Sequence, residues 1–273
     1  MARKTKIIAE IGENHHGDWD IASAMLEKAA EAGADIVKFQ SYTVDTFSPE
    51  DPEYNWFKKV AVPDEKHFEF KARAEQLGVE FISAPFSVER ARFLIEKVKC
   101  SNIKIASASM MNFPMLDYIN SQAMLVDQVY LSSGMATLDE LREALGHLEK
   151  IKKVTVLHCV TAYPASPQQA NLHCLATLRK IFPEYAIGYS DHVPGLNACL
   201  TSVALGAEVL EKHFTFSRHM PGSDHVGSML PEELQELCDR VEEIEQLLGS
   251  GEKAPVKDEC AIRDFVRNRC KAC

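Results

Sequence analysis

The chain has 273 residues, 46% hydrophobic and 26% charged, enough for one sizeable core at an ordinary charge density. A net charge of −10 argues against nonspecific nucleic-acid binding and against anionic membrane surfaces, while a small anionic substrate met by local lysines stays compatible. The opening MARKTKIIAEIG turns straight from a basic run into a strand-like segment. No run of about 18 apolar residues follows, so neither a signal peptide nor a membrane span is expected and the protein reads as cytoplasmic. The eight cysteines are scattered, several in apolar periodic segments, and read as free thiols. Cys270 and Cys273 form a terminal C-x-x-C that reads more simply as loose tail than as a zinc or redox pair.

Strand-like and helix-like segments alternate along the chain. KIIAEIG (6–12) is a strand, and IASAMLEKAAEAG (21–33) an amphipathic helix stopped by Gly33. DIVKFQSY (35–42) is the second strand; a long loop, 43–63, with Pro49, Pro52 and Pro63, precedes a helix over 64–78. EFISAPF (80–86), a helix over 88–99 and NIKIASAS (102–109) follow, then a short helix near 114–122. After QVYLSSG (128–134), Thr137 with Glu140 three residues on makes a capping-box pattern for a helix over 137–150. VTVLHCVT (154–161), a helix at 171–182, AIGYSDH (186–192) and GLNACLTSVALG (195–206) lead to VLEKHFTF (209–216) and a closing helix, 230–249.

Eight β–α units over roughly 250 residues predict an α/β protein, a single-domain (β/α)8 TIM barrel spanning 1–250, with 251–273 as a polar tail or docking segment. The rival, a doubly wound open sheet, usually carries a Gly-rich first turn, and GENHHGD lacks the G-x-G-x-x-G spacing.

In such a barrel the active site gathers at the C-terminal strand ends, and alternate strand residues point inward. Ile8, Glu10 and Gly12 then share one face, as do Ile36, Lys38 and Gln40. Gly188, Ser190 and His192 form a third such set, and Val209, Glu211, His213 and Thr215 a fourth. Lys104 and Ser107 have opposite parity and reach the mouth together only if their strand bends or ends between them. Ser132-Ser133-Gly134 and Thr161-Ala162-Tyr163 close the fifth and sixth strands. A lone lysine or histidine in a strand is ordinarily structural, and Lys212, opposite in parity to His213, is expected to snorkel out between helices. Polar ends converging from so many strands are not explained that way. Lysines and hydroxyls suit a small phosphate- or carboxylate-bearing anion. Two histidines on neighbouring strands suit a divalent metal acting as a Lewis acid, and Glu10 suits a base or a holder of water.

At these residues the sequence resembles the sialic acid synthase family, which condenses phosphoenolpyruvate with an N-acetylated sugar. The matching pieces, in family order, are IIAEIGENHHGD (7–18), AGADIVKFQ (32–40), FISAPFS (81–87), NIKIAS (102–107), LSSGMA (131–136), LHCVTAYP (157–164), IGYSDH (187–192), EKHFT (211–215) and PGSD (221–224). The resemblance implies that His192 and His213 bind a divalent metal, manganese or magnesium, which activates the sugar aldehyde. It implies that Lys38, Lys104, Ser107, Ser132 and Ser190 hold phosphoenolpyruvate, with Glu10, Lys38 and Lys104 as the catalytic set and Glu10 organising water. Gln40, Tyr163 and Asp224 would contact the sugar, and the protein would be a homodimer.

Three residues depart from the family pattern: Ala84 stands where threonine is common, Ser109 where an acidic residue is usual, and Thr161 where asparagine is common. The family usually continues into a small antifreeze-like domain whose arginine reaches the neighbouring subunit's sugar site. This chain is expected to lack it, with Arg263, Arg267 and Arg269 as the arginines of its tail. The departures fall on acceptor recognition. The expected product is therefore a sialic-acid-like 3-deoxy-ulosonic acid made from an N-acetylmannosamine-like or related aldose. Two alternatives stay open: a metal-free Schiff-base aldolase using Lys38 or Lys104, and a degenerate barrel that binds a sugar or phosphate ligand without turnover.

Overall fold

The computed structural model describes residues 3–269. Its strands are β1 (Lys6–Glu10), β2 (Ile36–Ser41), β3 (Glu80–Pro85), β4 (Asn102–Ile105), β5 (Gln128–Ser132), β6 (Lys153–Cys159), β7 (Ala186–Asp191) and β8 (Val209–His213). Every registered pair is parallel, in the order β3-β2-β1-β8-β7-β6-β5-β4. β3 and β4, at the two ends of that order, lie side by side. The result is a nearly closed (β/α)8 barrel.

Parity divides the apolar residues into two cores. Outward positions such as Ile7, Val37, Phe39, Ile105, Leu131 and Leu210 pack against the helices in one continuous layer. Inward positions Ile8, Ile36, Ile82, Tyr130, Leu157 and Val209 form a separate plug inside the barrel. Above the plug, towards the C-terminal strand ends, the same face turns polar with Glu10, Lys38, Lys104, Ser132, Ser190 and Glu211, all buried. The plug closes because Gly188 has no side chain: a Cβ there would meet Val209 O at 2.5 Å and Leu157 Cδ2 at 2.6 Å.

The helices are α1 (Trp19–Glu31), α2 (Tyr54–Val60), α3 (Asp64–Leu77), α4 (Val88–Arg92), α5 (Phe113–Ser121), α6 (Leu138–Gly146), α7 (Cys174–Ile181), α8 (Asn197–Ala204), α9 (Pro231–Leu248) and α10 (Lys257–Arg269). The capping box of α6 forms: Thr137 Oγ1 accepts from Glu140 N at 3.3 Å, and Glu140 Oε2 accepts from Thr137 N at 2.7 Å. α4 continues into a π-helical turn, Phe93–Lys97. Several expectations need correction. The strands expected over 6–12, 102–109 and 209–216 stop at Glu10, Ile105 and His213, because the residues beyond turn out over the mouth instead of extending the ladder. The loop at 43–63 holds a 3-10 turn, Val44–Thr46, and α2. Seven residues are too few to show a helical period, and the segment is held by aromatic packing, with the Phe47 and Phe57 rings 4.0 Å apart. Residues 257–269 form the exposed helix α10. Cys270 and Cys273 lie outside the described residues. No described helix is long and apolar enough to cross a membrane.

Gly188→Ala should lower stability by about 1–3 kcal/mol, because its methyl group has nowhere to go in the plug. Gly146→Ala, at a helical position with nothing within 4 Å of the added Cβ, should instead raise stability by roughly 0.5–1 kcal/mol. Denaturant midpoints of the two variants check the pair.

Candidate active site

β1, β2, β4 and β8 each deliver one charged side chain to the same level of the barrel, directly above the apolar plug. Glu10, Lys38, Lys104 and Glu211 are only 1% to 6% exposed there. Lys38 Nζ sits 2.6 Å from Glu10 Oε2 and 3.6 Å from Glu211 Oε1. Lys104 Nζ lies 3.5 Å from Glu211 Oε1 and donates to Ile105 O at 3.0 Å. Ser190 Oγ donates to Glu211 Oε1 at 3.0 Å. Two cations thus offset two anions where either sign alone would be costly.

Their environments push the two carboxyls apart. Burial raises Glu10 to about 7 despite the nearby Lys38 ammonium. Burial also acts to raise Glu211, but Lys104 and Lys38 outweigh it, with the Ser190 hydroxyl, and hold that carboxyl down to about 2. Burial lowers Lys104, against the pull of Glu211. Lys38 is raised: burial works against its charge, and Glu10 and Glu211 more than compensate. One carboxyl is therefore poised to exchange a proton near neutrality while the other stays ionised.

The strand ends supply hydroxyls around this floor. β4 ends at Ile105, and a 3-10 turn, Ser107–Ser109, aims Ser107 into the mouth, which resolves its opposite parity to Lys104. Gly134 N donates to Ser107 Oγ at 3.0 Å. A Cβ on Gly134 would meet Thr161 Oγ1 at 2.3 Å and Ser107 Oγ at 2.6 Å, so glycine is what lets these strand ends approach. The Ser132 hydroxyl is buried beside them without a hydrogen-bond partner, a free donor facing the floor.

His192 and His213 stand above, with ring centroids 5.6 Å apart. His192 Nδ1 lies 2.7 Å from Val160 O. A carbonyl only accepts, so the proton sits on Nδ1 and the lone pair on Nε2. His213 Nδ1 is buried with no hydrogen bond, 3.6 Å from Asp224 Oδ2. Burial lowers its pKa, with Asp224 acting the other way, which favours the neutral ring that a metal ion requires. An anchored imidazole beside an orphaned one fits a shared divalent ion. No group of three or more His, Cys, Asp or Glu suited to hold a metal occurs among the described residues.

The outward face of the same strands supports the histidines. Lys212 does lie on the helix side, but it does not snorkel. It is 1% exposed, with Nζ 2.7 Å from Asp191 Oδ2 and 2.6 Å from Val193 O. Asp191 Oδ1 accepts from Tyr189 OH and from Val193 N, each at 2.9 Å, and Oδ2 accepts from Cys199 Sγ at 3.3 Å. Strand ends β7 and β8 are thereby locked together immediately behind His192 and His213.

The residues given a catalytic, metal-binding or substrate-binding role from the sequence line one cavity of about 280 Å³: Glu10, Lys38, Lys104, Ser107, Ser132 and Ser190 towards the floor, with Gln40, Tyr163, His192, His213 and Asp224. Glu13, Phe86, Cys159, Thr161 and Glu211 share it. Cys159 was legible, since it has the inward parity of Leu157, but an apolar run read as core masked it. Glu13 was not, because it lies past the end of β1, where parity stops. Ser109 is buried in its turn and, like Ala84, is not part of the lining. A larger hollow, about 760 Å³, opens at the opposite barrel end around Lys6, Lys153 and Glu208, away from the strand ends that carry chemistry in this fold.

Comparison with known proteins shows the family. The NeuB family matches residues 25–253. The chain belongs to the NeuB family. Among NeuB relatives, the N,N'-diacetyllegionaminic acid synthase of Campylobacter jejuni is 37% identical over 284 residues, covering 97% of this chain and 84% of that one. The N-acetylneuraminate-9-phosphate synthase of Mus musculus is 34% identical over 94% of this chain and 75% of its own length. The crystal structure of the N-acetylneuraminic acid (sialic acid) synthetase of Leptospira borgpetersenii in complex with citrate superposes with a TM-score of 0.89 at 33% identity, covering 96% of this chain and 90% of that one.

Lys212→Met should cost about 3–5 kcal/mol, because it strands the Asp191 carboxylate in the core without its cation. Denaturant unfolding measures it, and Lys212→Met combined with Asp191→Asn should recover part of the loss.

Proposed function

We propose that this NeuB-family chain condenses phosphoenolpyruvate with an aldose, giving a sialic-acid-like 3-deoxy-ulosonic acid and phosphate, in a reaction dependent on a divalent metal. The observation that carries the proposal is the joint lining of one cavity by an anion-holding set and a histidine pair. Lys38 and Lys104, with Ser107, Ser132 and Ser190, hold the phosphate and carboxylate of phosphoenolpyruvate above the apolar plug. Gln40, Tyr163 and Asp224, which line the same cavity, orient the sugar. When bound by His192 and His213, a Mn²⁺ or Mg²⁺ ion supplies Lewis-acid polarisation of the aldehyde oxygen.

The floor then aligns C3 of phosphoenolpyruvate with the aldehyde carbon, and the new carbon–carbon bond forms between them. Water adds at C2, and the C2–O bond breaks to release phosphate, so one water is consumed for each phosphate freed. Glu10, held near neutrality by its burial, is placed to take the proton of that water. Lys38 and Lys104 offset the charge that grows on the departing phosphate. Most of the enzyme's contribution is therefore orientation and preorganised charge.

Incubation with phosphoenolpyruvate, Mn²⁺ and a panel of aldoses should release phosphate only when an aldose is present, and chelation should stop it. Lys104→Met should lower kcat/KM at least about a hundredfold. Borohydride with pyruvate should leave no adduct on Lys38 or Lys104. Phosphate release from no aldose by folded, metal-loaded protein would sink the proposal.

A further inference from the structure

The wall of the cavity that rises from the β1–α1 loop carries a carboxylate that the synthase reading leaves unused. Glu13 follows the left-handed Gly12 and faces the same cavity as Asp224. Its two oxygens are held separately: Tyr42 OH donates to Oε1 at 2.7 Å, and Trp56 Nε1 donates to Oε2 at 2.6 Å. Two donors on two oxygens fix the carboxylate in place and leave each oxygen a further lone pair. Trp56 belongs to α2, so the same contacts fasten the 43–63 segment against the mouth.

The charges that line the cavity are unequal. Four carboxylates, Glu10, Glu13, Glu211 and Asp224, face two lysines, Lys38 and Lys104. Both lysines lie at the floor, within 3.6 Å of Glu10 or Glu211. Phosphoenolpyruvate needs both of them for its own two anionic groups. No other lysine or arginine lines the cavity among the described residues. Lys59, whose Nζ lies 5.6 Å from the Trp56 ring centroid, is exposed and outside it. A phosphate ester on the acceptor would meet Glu13 and Asp224 with no lysine or arginine left to answer it, the divalent ion being engaged by the aldehyde, whereas hydroxyl or amide N–H groups would find acceptors.

We propose that Glu13 is a specificity-determining residue that admits an uncharged aldose and rejects one bearing a phosphate ester. The inference rests on the synthase reading above and narrows its acceptor class. Glu13 acts through its charge, which lines the cavity it shares with Asp224, and the Trp56 donor is enough to hold it there when Tyr42 is altered.

The test compares kcat/KM for each aldose of the panel with that for its own terminal phosphate ester, using metal-loaded protein and saturating phosphoenolpyruvate. The wild type should prefer the neutral sugar by at least about a hundredfold. Glu13→Gln, nearly isosteric but uncharged, should reduce that preference roughly tenfold, chiefly through a lower KM for the ester. Tyr42→Phe disturbs the same wall but leaves the charge, and should keep the preference within about threefold. A wild type that uses the ester as well as the neutral sugar, or better, overturns the inference and leaves the synthase reading standing. An unchanged preference in Glu13→Gln, or an equal loss in Tyr42→Phe, removes Glu13 as its cause. Phosphate release from neither form of any aldose overturns both readings together. The wild-type comparison alone decides the acceptor class if Glu13→Gln does not fold.

Discussion

Two buried ion pairs inside the barrel, Glu10 with Lys38 and Glu211 with Lys104, are the constraint on which the rest of the site depends. Each ion alone would be costly at 1% to 6% exposure. Set 2.6–3.6 Å apart they become tolerable together, and they close the polar compartment from below. The pairing is incomplete by design of the strands: Glu211 Oε2 and the Ser132 hydroxyl still lack partners. The phosphate or carboxylate of the ligand proposed above would supply an acceptor for the Ser132 hydroxyl. The same burial that makes the floor expensive also lifts Glu10 towards neutrality, so the cost of placing these charges becomes a property that proton transfer can use.

The strands serve two functions at once because successive side chains face opposite ways. On β7 and β8 the inward residues Ser190, Glu211 and His213 enter the cavity, while Asp191 and Lys212, their immediate neighbours, form a buried pair on the helix side. The strand ends that carry the two histidines are thus held from behind by a salt bridge, and His192 alone is also held by the Val160 carbonyl. Glycine supplies the third device. Gly188 lets the plug fill, and Gly134 lets Ser107 and Thr161 come together at the mouth.

Much of this was legible because period-two alternation is the strongest signal a short strand carries. It fixed which of Lys38, Glu211 and His213 face the mouth, and which way Lys212 leaves, without any structure. It failed where strands end. Ser107 enters the site from a 3-10 turn, Glu13 from a loop with its own left-handed glycine, and α2 from seven residues whose aromatic contacts lie outside their own segment. Lys212 was read correctly for side and wrongly for exposure, because its partner Asp191 belongs to another strand and only the β7–β8 register brings them together. The motif resemblance located the cavity residues that parity cannot reach, Tyr163 and Asp224, since it reads order along the chain and needs no local period.

The floor of paired charges can be tested without substrate, by a thermodynamic cycle of Glu10→Gln, Lys38→Met and the double variant in denaturant unfolding. If the two charges are mutually dependent, the double variant should be more stable than the sum of the single effects by at least about 2 kcal/mol. Single effects that simply add, within roughly 0.5 kcal/mol, would contradict the account, because each charge would then be supported by something other than its partner.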